Sequence, residues 1–368
     1  MEEEYSRVPI KTILIVSLSN NGIGGGNTHI NLLVKYWEKS VNIKLLTLKN
    51  KYSFNLINNI KNSFISIDKL IRDNGLKKQD FNGFSIILSA SPYPTDLYTS
   101  LKLSKKYNKK VLCYFHHIVP GISFFPFRRG FFRTILNITY FRYALYLVKK
   151  NNAGIFLDQP KLFSDQKIKV YEDLDAVTVP TYKEANKIYD ICYLGRLSKP
   201  KGIIDLLKII KLLINDNYKP HIAIIGSYNS KIIRTIKRQL VKYKLNPELF
   251  EFFGYVGNNK KYDIMQHSKI FISLSYEEGW SISVMEAAAL EIPIVAYNLP
   301  AYSYLNGNFY SAPIGDLNAI KLLIEKLLDN INISKDIAHK AKFFVSKYNY
   351  EEIAQEQLEY FSDFITNY

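Results

Sequence analysis

Apolar residues in this chain fall into short runs rich in Ile, Val, Leu and Phe, spaced by stretches in which they recur every three or four positions. In the first half the runs lie at residues 12–18, 42–48, 84–90, 111–116 and 176–180, with helix-period segments such as 29–40 and 96–107 between them. The second half repeats the scheme, with runs at 191–195, 221–226, 250–256, 270–274 and 293–297 and helical segments at 203–213 and 231–244. Near-continuous apolar runs fit strands covered on both faces, and strands alternating with helices predict parallel, doubly wound sheets. Two such series in 368 residues exceed what one core usually serves. The polar segment 181–190 is the predicted linker, giving domains at 1–185 and 186–348, and residues 349–368 read as a closing helix. Ligands of such sheets bind beyond the carboxyl ends of the strands, so motifs there carry the functional weight.

One strand end stands out. After run 270–274 come Glu278, Gly279, Trp280, Ser281 and Ile282, and Glu286 follows eight positions after Glu278 in a small-residue segment that reads as a buried helix. The backbone N–H groups of Gly279, Trp280 and Ser281 would open that helix, and helix N-termini attract phosphate. At ~1.5 Å per helical residue the two carboxyls lie on the order of 12 Å apart, enough to grip both ends of an activated-sugar donor around a phosphate. The competing reading is a tight turn and a core helix with solvated acids.

Three other strand ends add chemistry. Run 191–195 leads into Gly195, Arg196, Leu197 and, through Ser198, Lys199 and Pro200, to Lys201 and Gly202. A guanidinium and an ammonium at a helix mouth suit a departing diphosphate, although surface cations often serve solvation alone. Strand 12–18 runs into a loop holding Gly24, Gly25 and Gly26, which permits close backbone approach to a ligand or simply a flexible turn. Strand 111–116 ends in His116 and His117. Adjacent strand residues point to opposite faces and no acid lies in the surrounding segment, so no metal is expected there.

Composition narrows the classes. A 47% apolar and 14% aromatic content excludes disorder. Two cysteines, Cys113 and Cys192, sit in separate strand-like runs and fit a reduced, cytoplasmic setting. The first ten residues lack the basic, apolar and small-residue order of a signal peptide, and no apolar run approaches the ~20 residues of a membrane span. The net charge of +16 is uneven: residues 1–185 hold 27 basic against 14 acidic side chains, and residues 97–157 hold 11 basic and no acidic ones. A basic surface can meet nucleic acid, a polyanion or an anionic membrane. In residues 121–150 aromatics alternate with cations, and Arg142 interrupts the apolar run 134–148. An interfacial segment, with Arg128, Arg129, Arg133, Phe131 and Phe132 as contacts, is therefore expected at the cytoplasmic face of a membrane; its rival is an aromatic core helix with a solvated basic face.

The E-x7-E of Glu278 and Glu286, with the G-R-L-x-x-x-K-G of 195–202 upstream, resembles the signature of retaining GT-B glycosyltransferases of glycosyltransferase family 4. The resemblance implies two Rossmann-like domains facing across a cleft, the first binding acceptor, the second binding a nucleotide-sugar, and a terminal helix crossing back. It places Glu278 and, through the H-x-x-x-P spacing to Pro120, His116 beside the transferred sugar, with Glu286 on the ribose and Arg196 and Lys201 on the leaving diphosphate. Gly279, Trp280, Ser281 and Ile282 would line the donor; Gly226, Tyr255 and Val256 would seat the nucleoside; Gly24, Gly25 and Gly26 would lie near acceptor and phosphate. No cofactor or metal is implied, the donor being a UDP- or GDP-hexose and the acceptor a glycan or lipid-linked alcohol. The sequence departs from the family pattern at Ser281, where glycine is usual, at His117 in place of aspartate, at Glu291, and after residue 296. Two rivals stay open: a nucleotide-sugar hydrolase or epimerase on the same fold, and a basic nucleic-acid-binding protein, although no nucleic-acid motif is present. A non-catalytic binder of the same ligand is opposed by the presence of both glutamates with Arg196 and Lys201.

Overall fold

In a computed structural model the chain divides into two compact units, Met1–Asp175 with Asn349–Tyr368, and Ala176–Tyr348. The structure describes residues 9–18, 25–47, 67–116, 131–163, 165, 167–181 and 185–368.

The first unit runs β1 (Thr12–Ser17), α1 (Gly25–Trp37), β2 (Asn42–Thr47), α2 (Ile67–Asp73), β3 (Ile86–Ser89), α3 (Pro94–Tyr107), β4 (Val111–Phe115), α4 (Phe131–Lys150), β5 (Gly154–Leu157) and β6 (Val170–Glu172). Its strands form one parallel sheet in the order β2-β1-β3-β4-β5-β6. Strands β3, β4 and β5 are buried along their whole length, which is why β3 and β4 read as unbroken apolar runs.

The second unit continues with β7 (Tyr189–Leu194), α5 (Ile203–Asn215), β8 (Ile222–Ile225), α6 (Ser230–Lys242), β9 (Phe250–Gly254), α7 (Asn258–Gln266), β10 (Ser268–Ser273), α8 (Ile282–Ala289), β11 (Ile294–Tyr297), β12 (Tyr310–Ala312), α9 (Leu317–Asp329) and α10 (Ile331–Val345). Its parallel sheet has the order β12-β11-β10-β7-β8-β9, so the chain reverses direction across the sheet beside β7, where such folds open their ligand crevice. Apolar clusters pack on both faces of this sheet.

The last helix, α11 (Tyr350–Asn367), belongs to the first unit. The fully buried Trp37 of α1 donates its indole N–H to Ala354 O at 3.1 Å and packs edge-on to Phe361 at 5.4 Å. Tyr114 of β4 donates to Gln357 at 2.7 Å, so α11 is anchored by buried polar bonds as well as by apolar packing.

Three sequence expectations need correction. Residues 176–180 form no strand: Val177 and Val179 pack as extended chain on the second unit's core, and Thr178 O accepts from the Tyr262 hydroxyl at 3.2 Å. This packing moves the division to 175/176 from the expected 185/186. Strands β5, β6 and β12 correspond to none of the expected runs.

Candidate functional site

In the second unit the chain leaves β7 through Gly195, Arg196 and Leu197. Gly195 N–H donates to Ile225 O at 3.0 Å and Leu197 N–H to Ser227 O at 2.9 Å, so the exits of β7 and β8 stay paired beyond the ladder. A Cβ on Gly226 would lie 1.9 Å from Gly195 O, so this strand end tolerates only glycine. Pro200 and Lys201 then form a 3-10 turn closed by Gly202, which has φ +74° and whose added Cβ would lie 2.1 Å from Leu274 O. That close approach ties the turn to the exit of β10, where Tyr276 N–H donates to Pro200 O at 2.9 Å. The consequence is an ion pair across the two strand ends: Lys201 Nζ lies 2.5 Å from Glu278 Oε1.

Glu286 points from α8 into the unit and is 6% exposed. Its Oε1 takes Lys261 Nζ at 2.6 Å and the Tyr262 hydroxyl at 3.0 Å. Burial, with the Glu286 charge beside it, pushes the Tyr262 phenol up. Each of the two acids is thus held by one lysine. Sequence spacing did not reveal Lys261 or Tyr262, because α7 meets α8 only through the fold; the one signal was a Lys-Lys-Tyr set after a strand end.

The stretch between the acids divides by role. The Trp280 ring stacks on Tyr304 at 4.8 Å, meets Tyr348 edge-on at 5.5 Å and donates to Met285 Sδ at 3.4 Å, so it is a packing element. Ser281 is buried, precedes α8 without a side-chain cap, and accepts at its carbonyl from Tyr304 at 3.1 Å. The backbone of residues 279–282 opens the helix. Arg196 is exposed, Ile282 and Val256 are half-buried, and Tyr255 is 77% exposed beyond β9. Glu291 has φ +54° and pairs with His339 at 2.9 Å and Lys342 at 2.8 Å, which gives this departure from the family pattern a structural role between α8 and α10.

The first unit holds a separate buried polar cluster. His116 follows β4, Asp158 follows β5 and Asp173 follows β6, and one ligand-type atom from each lies within 4.8 Å of the others. No acid lies near His116 along the chain, but the sheet order β4-β5-β6 brings two acids to the histidine, which corrects the expectation that it stands without carboxylate neighbours. One imidazole and two carboxylates are a donor set that can take a divalent cation. His29 of α1 is 1% exposed and faces Asp173 Oδ1 at 2.8 Å and Asp175 Oδ1 at 2.6 Å. Burial alone would lower the His29 pKa, but Asp173 and Asp175 outweigh it and hold it well above the ordinary value. Burial raises Asp173 as well, yet His29 and His116 hold its carboxyl well below the usual range. Asp158 is pushed well up by burial and by Asp173 and Asp175.

Of the remaining expected residues, Gly25 and Gly26 begin α1 and Gly24 lies outside the described residues. Phe131, Phe132 and Arg133 begin α4, with their side chains outside the description, as are Arg128 and Arg129 altogether. Among the described residues, no helix is long and apolar enough to cross a membrane. Both cysteines are free and buried; burial pushes the Cys192 thiol up to about 12.

Residues 164–344 match the family of glycosyl transferases group 1. That matched stretch contains all of β7 to β12 and both glutamates. Over 189 residues the chain is 26% identical to the capsular polysaccharide biosynthesis glycosyltransferase CapM of Staphylococcus aureus, covering 48% of this chain and 47% of that protein. Over 170 residues it is 25% identical to the alpha-galactosylglucosyldiacylglycerol synthase of Streptococcus pneumoniae, covering 45% and 44%. The chain thus spans about half the length of these relatives. The crystal structure of Anabaena Alr3699/HepE in complex with UDP and glucose superposes with a TM-score of 0.72 at 15% identity, covering 96% of this chain and all of that one. The fold is GT-B, and the group 1 match with its glycosyltransferase relatives supports a GT-B glycosyltransferase.

Proposed function

We propose that this protein is a retaining, metal-independent glycosyltransferase that moves a hexosyl group from a nucleotide-diphosphate sugar to an alcohol of a glycan or lipid-linked acceptor. The observation that carries the reading is the pair of lysine-held carboxylates, Lys201–Glu278 and Lys261–Glu286, at the carboxyl ends of one parallel sheet. Cleavage of the C1–O bond builds positive charge on the sugar and negative charge on the diphosphate. In the second unit Arg196, Lys201 and the backbone N–H groups opening α8 stabilise the diphosphate, Glu278 holds the sugar and Glu286 receives the ribose; in the first unit His116 is the residue the resemblance assigns to a sugar contact. On donor binding the Lys201 ammonium is shared between Glu278 and the phosphate. The acceptor hydroxyl attacks from the face the leaving phosphate departs, giving its proton to that phosphate, which preserves anomeric configuration. UDP and glucose bound to Alr3699/HepE support a UDP-hexose as the first donor to try. Calorimetry against UDP- and GDP-sugars, followed by NMR of the product anomer, tests the reading. Release of free sugar with alcohol acceptors present would point to a hydrolase, and an inverted anomer would remove the retaining assignment.

We further propose that the first unit docks on the cytoplasmic face of an anionic membrane. Support comes from α4, where Ile135, Tyr143 and Tyr146 are exposed beside Arg142, Lys149 and Lys150, so aromatic and cationic groups share one helix face. Lys150 Nζ lies 5.6 Å from the Tyr146 ring centroid, and Lys149 pairs with the exposed Asp165 at 3.1 Å. Each cation near such a surface contributes on the order of 1 kcal/mol, enough in sum for reversible attachment. The glycolipid synthase among the relatives supports a lipid-linked acceptor. Vesicle flotation should show binding that needs anionic lipid, weakens with salt and drops when Arg128, Arg129 and Arg133 become Glu. Equal recovery with neutral vesicles would rule the electrostatic attachment out.

A further inference from the structure

His116 is the first residue past β4, and its ring stacks on Tyr114 two positions earlier, at 5.5 Å and 12°. That stacking fixes the ring plane and directs Nδ1 at Asp173 Oδ2, 3.4 Å away. The opposite nitrogen, Nε2, is buried with no hydrogen-bond partner among the described residues. Behind Asp173 the polarity of the His29 and Gln357 contacts is set. Both His29 nitrogens face carboxylates, so both carry protons, and Nε2–H donates to Asp173 Oδ1 at 2.8 Å. Gln357 accepts from Tyr114 through Oε1 at 2.7 Å, which leaves its Nε2 donating to the same Asp173 Oδ1 at 3.1 Å. Tyr350 donates to Asp175 at 2.7 Å and completes the shell around His29. Asp158 adjoins Asp173 in the same cluster, and the neighbouring carboxyl helps push it up.

We infer that Asp173 is a positioning residue for His116: it accepts a hydrogen bond from Nδ1–H, holds the ring in that tautomer, and so presents Nε2 as an acceptor for a sugar hydroxyl. The inference rests on the glycosyltransferase reading for the ligand alone; the tautomer stands on this unit's own contacts. The Nδ1–Oδ2 distance is long for a hydrogen bond and closes by a few tenths of an ångström, as catalytic contacts do when ligand arrives. His29 and Gln357 act one step further back. Their two donors occupy Oδ1, so the carboxylate turns Oδ2 to His116. The same contacts explain why an acid held well below its usual range sits in a buried site: His29, His116 and Gln357 all turn donors to it.

The discriminating variant is Asp173→Asn. It keeps the shape, and the amide oxygen still accepts from His29 and Gln357. The amide N–H₂ then faces His116 and donates to Nδ1, which forces the proton to Nε2 and turns an acceptor into a donor. Nitrogen-15 NMR of the full chain at fixed mildly alkaline pH reads this directly, with the His116 signals identified by their loss in His116→Gln. Expected are a protonated Nδ1 and an unprotonated Nε2 in the wild type, reversed in Asp173→Asn, with kcat lowered by about 10²-fold or more and donor binding measured by calorimetry changed little. A wild-type ring protonated at Nε2, or at both nitrogens, overturns the inference, and so does an unchanged tautomer in the variant. If Asp173→Asn does not fold, the wild-type spectrum alone decides. Zinc added in equal amount is the last arm: a stoichiometric shift of the wild-type His116 signals would replace positioning by metal binding through His116, Asp158 and Asp173. Because the NMR arm needs no turnover, a missing glycosyltransferase activity leaves the tautomer result intact, and the two failures are told apart.

Discussion

Replacing Glu286 by alanine strips one carboxylate from under two donors, the Lys261 ammonium at 2.6 Å and the Tyr262 hydroxyl at 3.0 Å. The Lys261 side chain is 14% exposed and that of Glu286 is 8%, so the variant leaves a cation with little water to replace its partner. Breaking a buried pair from one side costs about 3–5 kcal/mol, and the residual exposure of Lys261 argues for the lower end, about 3 kcal/mol. For a unit of this size each kcal/mol moves the transition by roughly 2–4 °C, so scanning calorimetry of the full chain should show a drop of roughly 6–12 °C. Removing the stranded cation as well, in Glu286→Ala with Lys261→Met, should recover about half, because two neutral groups carry no unpaired charge. Ligand affinity gives a second reading. Lys261 and Tyr262 both use Oε1, so Oε2 retains acceptor capacity for a ribose hydroxyl, and losing a hydrogen bond to a charged group weakens UDP binding by about 10- to 100-fold. A single variant that melts within about 2 °C of wild type, or a double variant whose loss equals the sum of the two singles, would refute the paired-charge reasoning. Unchanged UDP affinity alone would refute the ribose role and leave the stability argument standing.

Arg196→Ala and Lys201→Ala should each slow transfer by roughly 10²–10³-fold in a coupled nucleotide-release assay, since each removes charge that stabilises the departing diphosphate. EDTA should leave the wild-type rate unchanged, and a loss restored by Mn²⁺ or Mg²⁺ would overturn the metal-independent mechanism. Gly202→Ala forces a Cβ to within 2.1 Å of Leu274 O at φ +74°, so soluble yield and melting temperature should fall sharply, whereas the same change at Gly257, where nothing lies within 4 Å, should leave both nearly unaltered. His29 titrates higher in the folded protein than its unfolded value of about 6.5, so its share of stability is complete below that pH and is lost as pH rises through the folded value. The raised Asp158 acts in the same direction from about pH 4 upward, and the depressed Asp173 in the opposite one, losing its share as pH falls below about 4. Melting should therefore worsen on the alkaline side of neutrality in wild type, and a His29→Gln protein should show a flatter alkaline limb.

The doubly wound class was legible in the sequence because strands covered on both faces must be apolar throughout, and runs such as 84–90, 111–116 and 270–274 announce that burial one residue after another. Glycine positions were legible for a similar reason: Gly202 and Gly226 stand where backbones approach too closely for any Cβ. The strand ends bearing Glu278 and Lys201 were visible in order along the chain. Their ion pair was not, because it depends on β7 and β10 lying side by side, a neighbour relation that the sequence order does not contain. Lys261 and Tyr262 on Glu286 stayed hidden for the same reason. The first unit shows the gap most plainly. His116 sits in a stretch without a single acid, and an argument from local sequence finds it alone. Sheet order brings Asp158 and Asp173 to it from the next two strands, α1 supplies His29, and α11 supplies Gln357 from the far end of the chain. Local pattern determines which segments are strands and helices because burial acts residue by residue. Charge pairing acts through space, so which acids meet which cations was decided only once the strands took their order.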